Sequence, residues 1–266
     1  MLINNVLAEA KPYLIKSKIK DAVLGISLIG IELDNKDIGL AYMLREHLPA
    51  GCSVFGFGQE LIGTNAYKVA QLAQNGSDDA QRGVGIAVLT AGSRQLALPD
   101  EDKNEPFFGL EINSYDVVGM IGYIPPVAKR FAEKVKDLIV FDEDISRCGG
   151  ESIECIKPMA KQEELLPNCD VVIITGTTFI NHTIDKLLDV CSNAREIVLV
   201  GASTPMYPKA FLGTNVSVLA GSWWNNRFKA DLFKKISLSG GIHHIQNYMI
   251  KKAVMVKRRE AITKPV

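Results

Sequence analysis

Thiols are few in this 266-residue chain: five cysteines, an odd number, with no C-x-x-C spacing among Cys52, Cys148, Cys155, Cys169 and Cys191. That excludes a disulfide framework and the usual structural zinc spacings, and it reads as thiol usage in a reducing cytoplasm. Net charge is also missing, with 30 Lys and Arg against 30 Asp and Glu. Binding to nucleic acid or an anionic membrane draws on an excess of cations, so neither is an expected partner. The longest apolar stretch, Ala22 to Ile31, is interrupted by Gly25, Ser27 and Gly30, and at about ten residues it falls short of the roughly 18 that span a bilayer. The opening MLINNVLAEAKPYL has no basic segment ahead of an apolar core, so no signal peptide is expected. Internal repeats, a G-x-G-x-x-G loop and a G-x-S-x-G elbow are absent.

What is present is an ordinary globular composition, 47% apolar and 23% charged with 22 glycines, enough for one large or two small domains. Leu2, Val6, Leu7, Ala10 and Leu14 repeat at helical spacing. The run AVLGISLIGIEL reads as one strand that forms a hairpin with IGLAYML across the turn Asp34 to Asp37. A helix is expected over Asn65 to Gln74. A second opens at Ser77 and Asp78 with Gln81 completing a capping box, and Gly83 and Gly85 inside it predict close backbone packing. The charged segment Leu98 to Pro106 is the candidate linker. The basic residues Lys251, Lys252, Lys257, Arg258 and Arg259 read as a solvated strand edge or tail.

From Asp116 the pattern alternates. DVVGMI, LIVFD, DVVIITG, EIVLVG and VSVLAG are near-continuous apolar runs separated by helical segments near Val127 to Val135, Met159 to Leu165 and Asn181 to Val190. Strands buried on both faces by crossover helices have this composition, so a doubly wound, mainly parallel sheet is expected. Such sheets bind ligands beyond the carboxyl ends of their strands. The residues expected there are Gly122 and Tyr123; Asp142, with Glu143 and Asp144; Thr175, Gly176, Thr177, Thr178 and Asn181; Gly201, Ser203, Thr204 and Pro205; and Gly221 before Trp223 and Trp224. Glycines let backbone approach a ligand, and hydroxyls beside exposed amides suit anions. Asp142 lies 20 positions after Gly122, where nucleotide-binding folds place the acid that holds ribose. Tyr123, Pro125 and Pro126 occupy the place of a bare pyrophosphate loop, which argues against a dinucleotide. His182 is the metal-ligand candidate within these turns, and with Ser203 or Thr204 it would also make a hydrolytic dyad.

The string TGTTFINHTIDKLL, followed by VLVGASTPMYP and LAGSWW, resembles a family of prokaryotic proteins described as putative heavy-metal chelation proteins. The matching positions are Thr175, Gly176, Thr177, Thr178, Asn181 and Thr183, then Gly201, Ser203, Pro205 and Pro208, with Ala202 where the family has proline. The resemblance implies a small N-terminal α+β domain similar to the enolase N-terminal domain over residues 1–110, and a Rossmann-like α/β domain over 111–266. It implies a cleft between them for a small anionic or heterocyclic organic ligand. The function would be an enzyme in synthesis or processing of a metal-chelating compound. Two alternatives stay open: a non-catalytic metal or metal-chelate binder, and a methyltransferase-like enzyme using S-adenosylmethionine. The cofactor is accordingly open between a divalent heavy metal and a nucleoside-type ligand, and a homo-oligomer is compatible with the sequence.

Overall fold

The computed structural model describes residues 1–45, 48, 55–143 and 156–256. Helix α1 (Leu2–Leu14) buries Leu2, Ile3, Val6, Leu7, Ala10 and Leu14. Strands β1 (Ile19–Leu24), β2 (Leu28–Leu33) and β3 (Ile38–Tyr42) follow as an antiparallel sheet in that order. The expected hairpin across Asp34 to Asp37 forms, but AVLGISLIGIEL is two strands. Gly25 N donates to Leu28 O at 2.9 Å and closes a tight turn in its middle. Every residue of β2 is buried, because the sheet is covered twice. Ile29, Ile31 and Leu33 share an apolar cluster with α1. Leu28, Ile38 and Leu40 on the other face pack with Leu232, Phe233 and Ile236, which belong to the late helix α8 (Lys229–Ser237).

The helix expected over Asn65 to Gln74 is two nearly continuous pieces, α2 (Ala66–Ala70) and α3 (Leu72–Asn75), joined through Gln71 in helical conformation. Helix α4 (Asp79–Ser93) starts as expected: Asp78 accepts from Gln81 N at 2.9 Å, and the Gln81 side chain accepts from Ser77 N at 3.2 Å. The close packing also holds, since a Cβ on Gly85 would lie 2.1 Å from Ala73 N.

The second sheet has seven strands: β4 (Val117–Ile121), β5 (Asp137–Phe141), β6 (Ile156–Lys157), β7 (Val171–Thr175), β8 (Glu196–Val200), β9 (Val218–Trp224) and β10 (Met249–Met255). Their order is β10-β9-β8-β7-β4-β5-β6, parallel throughout except for antiparallel β10. Strand order reverses between β4 and β7. Helices α5 (Pro125–Ala132), α6 (Gln162–Leu165), α7 (Ile184–Val190), α8 and α9 (Ile242–Ile245) complete the second half. Helix α7 begins three residues later than expected because Asn181 Oδ1 accepts from Thr183 N and Oγ1, while His182 takes φ 58°.

Two expectations for the edges need correcting. Lys252 is not solvated: it is 8% exposed, with Nζ 2.6 Å from Asp100, bonded to Leu98 O and lying over the Trp223 ring. The segment from Leu98 is therefore no free linker, since Asp100 bridges to Lys252 and Glu101 N donates to Lys251 O. The two sheets also share one apolar cluster, which contains Leu7 and Val84 together with Ile174, Leu199 and Phe211.

At the amino end of the parallel strands, fully buried Asp116 accepts from Arg195 Nη1 and Nη2 at 3.2 and 2.8 Å and from Asn113 N at 2.8 Å. Burial by itself would raise the carboxyl, but these hydrogen bonds outweigh it and hold the group below the ordinary 3.8. A depressed folded pKa stabilises above the unfolded value and is lost as pH falls through the folded one. Asp116→Asn is expected to cost about 1 to 3 kcal/mol at neutral pH, and the gap from wild type should close below about pH 4. Urea melts at pH 7 and pH 3 check this.

Candidate functional site

Ligand crevices in open α/β sheets form where strand order reverses, which here means the carboxyl ends of β4 and β7. Gly122 follows β4 with φ 82°, and a Cβ there would lie 2.7 Å from Thr175 Cγ2 at the end of β7. Only glycine allows that approach at that dihedral. Gly122 and Thr175 are half-buried, as are Tyr123, Asp142, Thr177, Asn181 and Gly201 in the segments that follow β4, β5, β7 and β8. The Asp142 carboxylate accepts from Tyr123 N at 2.7 Å, so the acid in the ribose position holds the β4 turn.

Helix α5 starts at this crevice with Pro125 and Pro126 at its first two positions. Neither has an N–H, and the next amides, of Val127 and Ala128, both donate to Ile124 O. The usual anion cradle of a first Rossmann helix is thereby stripped of donors. The donors lie across the crevice. Thr175 Oγ1 accepts from Thr177 N and Oγ1 at 3.5 and 3.2 Å, which leaves its own proton for a ligand. Asn181 uses Oδ1 on Thr183 and keeps its amide protons.

Other expected site residues are placed otherwise. Thr178 is buried, and its hydroxyl donates to Thr175 O at 2.8 Å, so it shapes the turn. Thr178→Val should cost about 1 kcal/mol of stability while Thr177→Val costs little, a difference read by urea denaturation. Gly176, Ser203, Thr204 and Pro205 are buried where the β7 and β8 turns meet the N-terminal half. Gly221 lies inside β9 rather than after it, because pairing with β10 extends the strand to Trp224. His182 lies ahead of α7, and its Nε2 donates to Ala73 O at 2.9 Å. Ser203 Oγ accepts from Tyr42 N at 2.9 Å, so no Ser–His dyad is built. Asp144, Arg147 to Gly150 and Cys155 lie outside the described residues, as do Cys52, Lys257, Arg258 and Arg259.

The first half grips the motif turns. Beyond the His182 and Ser203 bonds, Arg82 Nε donates to Ile180 O at 2.6 Å and Tyr207 Oη donates to Leu89 O at 2.9 Å. Burial pushes the Tyr207 hydroxyl well above its ordinary pKa, so it stays protonated as that donor. Sequence reading passed over Arg82. Its signal was a cation close to the positive end of α4, where the helix dipole disfavours it.

Imidazole and thiolate suit soft divalent metals, yet among the described residues the strand ends offer hydroxyl, amide and backbone groups and the Asp142 carboxylate, with His182 Nε2 committed. Among the described residues no group of three or more His, Cys, Asp or Glu is placed to hold a metal ion. The residues described here therefore do not fit a directly bound heavy metal. Among them no helix is long and apolar enough to cross a membrane.

Residues 106–255 match a family model described as "Putative heavy-metal chelation" (DUF364), and residues 7–93 match a second of the same description (DUF4213). An uncharacterised protein of Methanocaldococcus jannaschii is 29% identical over 165 residues, 61% of this chain and 62% of that relative. The match thus spans less than two thirds of that protein. A crystal structure of a DUF364 protein of unknown function from Pyrococcus horikoshii aligns with TM-score 0.76 at 21% identity, covering 96% of this chain and all of that one. A second, from Desulfitobacterium hafniense DCB-2, gives 0.77 at 20%, covering 96% and 98%. At these identities the likeness shows the fold.

Proposed function

Because the chain belongs to the family described as putative heavy-metal chelation proteins, we propose that it binds a small organic ligand rich in acceptor oxygens at the β4–β7 crevice. The ligand would be anionic or heterocyclic, consistent with a role in making or processing a metal-chelating compound. The observation that carries this reading is the contact of Gly122 with Thr175 at the strand-order reversal, with the Thr175 hydroxyl beside it. Acceptors on the ligand complement donors on the protein. A nucleoside-type ligand is disfavoured by the same geometry, since Asp142 is turned onto Tyr123 N and α5 has no amides to offer. Metal would reach the protein as part of a chelate rather than as a bare ion.

A thermal-shift panel tests the reading. Heterocyclic carboxylates and phosphorylated heterocycles are compared with Zn, Ni and Cu salts alone. A true ligand at a hundred times its Kd stabilises by about 2.7 kcal/mol. An organic member is expected to raise Tm and the bare metals are not. A metal alone that raises Tm, with no organic member active, sinks the proposal.

A further inference from the structure

Side chains alternate along a strand, and the two apolar clusters of the second sheet follow that alternation. Met120, Ile173 and Val200 share one with Val127 and Phe131 of α5, whereas Ile121, Ile174 and Leu199 share the other with Leu7 and Val84 of the first half. Thr175 stands two positions after Ile173 and pairs with Val200 across the sheet. Its hydroxyl is therefore on the α5 side. The turn that leads from Gly122 into α5 stands on that side as well, because Tyr123 and Ile124 pack against the α5 cluster. Both remain half-buried, and Pro125 and Pro126 after them are exposed. Four consecutive apolar side chains thus form a lip beside Thr175. The lip is held still: Gly122 N donates to Phe141 O at 2.8 Å and Tyr123 N to Asp142 at 2.7 Å. Its aromatic ring is nonetheless unengaged, since among the described residues the Tyr123 side chain has no ring partner, cation or hydrogen bond. A fixed backbone that presents a free aromatic ring is preorganised for a flat ligand.

We infer that Tyr123, Ile124, Pro125 and Pro126 form the ring-binding wall of the crevice, and that the ligand is a heteroaromatic ring carrying an acceptor oxygen, as in a ring carboxylate. The ring stacks on Tyr123 while the oxygen takes the Thr175 proton. This rests on the crevice reading and narrows its ligand class, because an acyclic or sugar-like anion would gain nothing from the lip.

Quinoline-2-carboxylate and cyclohexanecarboxylate both carry a carboxylate, and only the first has a flat ring. Each is titrated by calorimetry into the full chain in metal-free buffer. The quinoline is expected to bind about tenfold tighter, with its ring protons moving upfield in the NMR spectrum of the complex. That ring-current effect needs a stacked aromatic and would not follow from a merely structural role for Tyr123. Tyr123→Phe should keep both results. Tyr123→Leu, which retains apolar bulk, should weaken the quinoline about tenfold, abolish the upfield movement and leave cyclohexanecarboxylate unchanged. Thr177→Val should weaken both acids, which separates the two claims: acids sensitive to Thr177→Val but indifferent to Tyr123→Leu overturn the lip and leave the crevice standing. Equal affinity for the two acids, or ring protons that do not move, overturns it from the wild-type protein alone. Binding of neither acid overturns it too, and the thermal-shift panel then decides the crevice.

Discussion

Gly39→Ala should lose on the order of 4 kcal/mol of stability, more than the usual 1 to 3 kcal/mol of overpacking. Strand β3 crosses α4 at this residue. A Cβ would lie 2.1 Å from Ala87 O and 2.2 Å from Ala91 N, and both are helix backbone, which cannot swing aside as a side chain can. The helix would have to lift off the sheet, losing the bond from Thr90 Oγ1 to Leu40 O. The consequence reaches the crevice, because the same helix carries Arg82 and the Leu89 carbonyl that hold the β7 and β8 turns. The comparison is Gly241→Ala, whose Cβ would meet nothing within 4 Å. Similar urea midpoints for the two variants would contradict this packing.

Gly176→Ala is expected to cost about 3 kcal/mol and to abolish the thermal shift from any organic ligand. Its Cβ would lie 2.5 Å from Thr204 N and 2.6 Å from Ser203 C, so the two motif turns could no longer touch. Thr175 begins the turn that Gly176 continues, and a displaced turn moves its hydroxyl out of the crevice. A variant that folds normally and keeps the full ligand-induced shift would show that this apposition does not build the site.

The sequence carried the parallel sheet because β4, β5, β7 and β8 are apolar runs whose period matches burial on both faces. Gly83 and Gly85 announced a tight helix crossing for a local reason, the cost of glycine in a helix, and that reason held. Long-range pairing was not legible. Nothing near Gly221 shows that β10 will pair with β9 and carry the strand on to Trp224, so Gly221 read as a strand end. His182 illustrates the same limit: a histidine in a polar turn reads as a ligand or base until Ala73, 109 residues away in the chain, supplies its hydrogen-bond acceptor. Ser203 and Thr204 likewise read as exposed hydroxyls, until β3, through Tyr42 N on Ser203, and the β7 turn, through Gly176 against Thr204, close over them. The prolines of α5 were legible as an obstacle to a dinucleotide. Their second effect, moving the donors to the Thr175 side, required the strand order.

Calorimetric titration of Thr177→Val tests the central claim most directly, using the strongest organic ligand from the thermal-shift panel and, separately, Zn and Ni. The Thr177 hydroxyl donates to Thr175 Oγ1 at 3.2 Å and orients the proton that Thr175 offers, while valine keeps the shape. The account predicts that organic-ligand affinity falls about tenfold, with the fold intact and no tight metal binding in either protein. Unchanged organic-ligand affinity, or stoichiometric tight binding of Zn or Ni that disappears in His182→Ala, would contradict it.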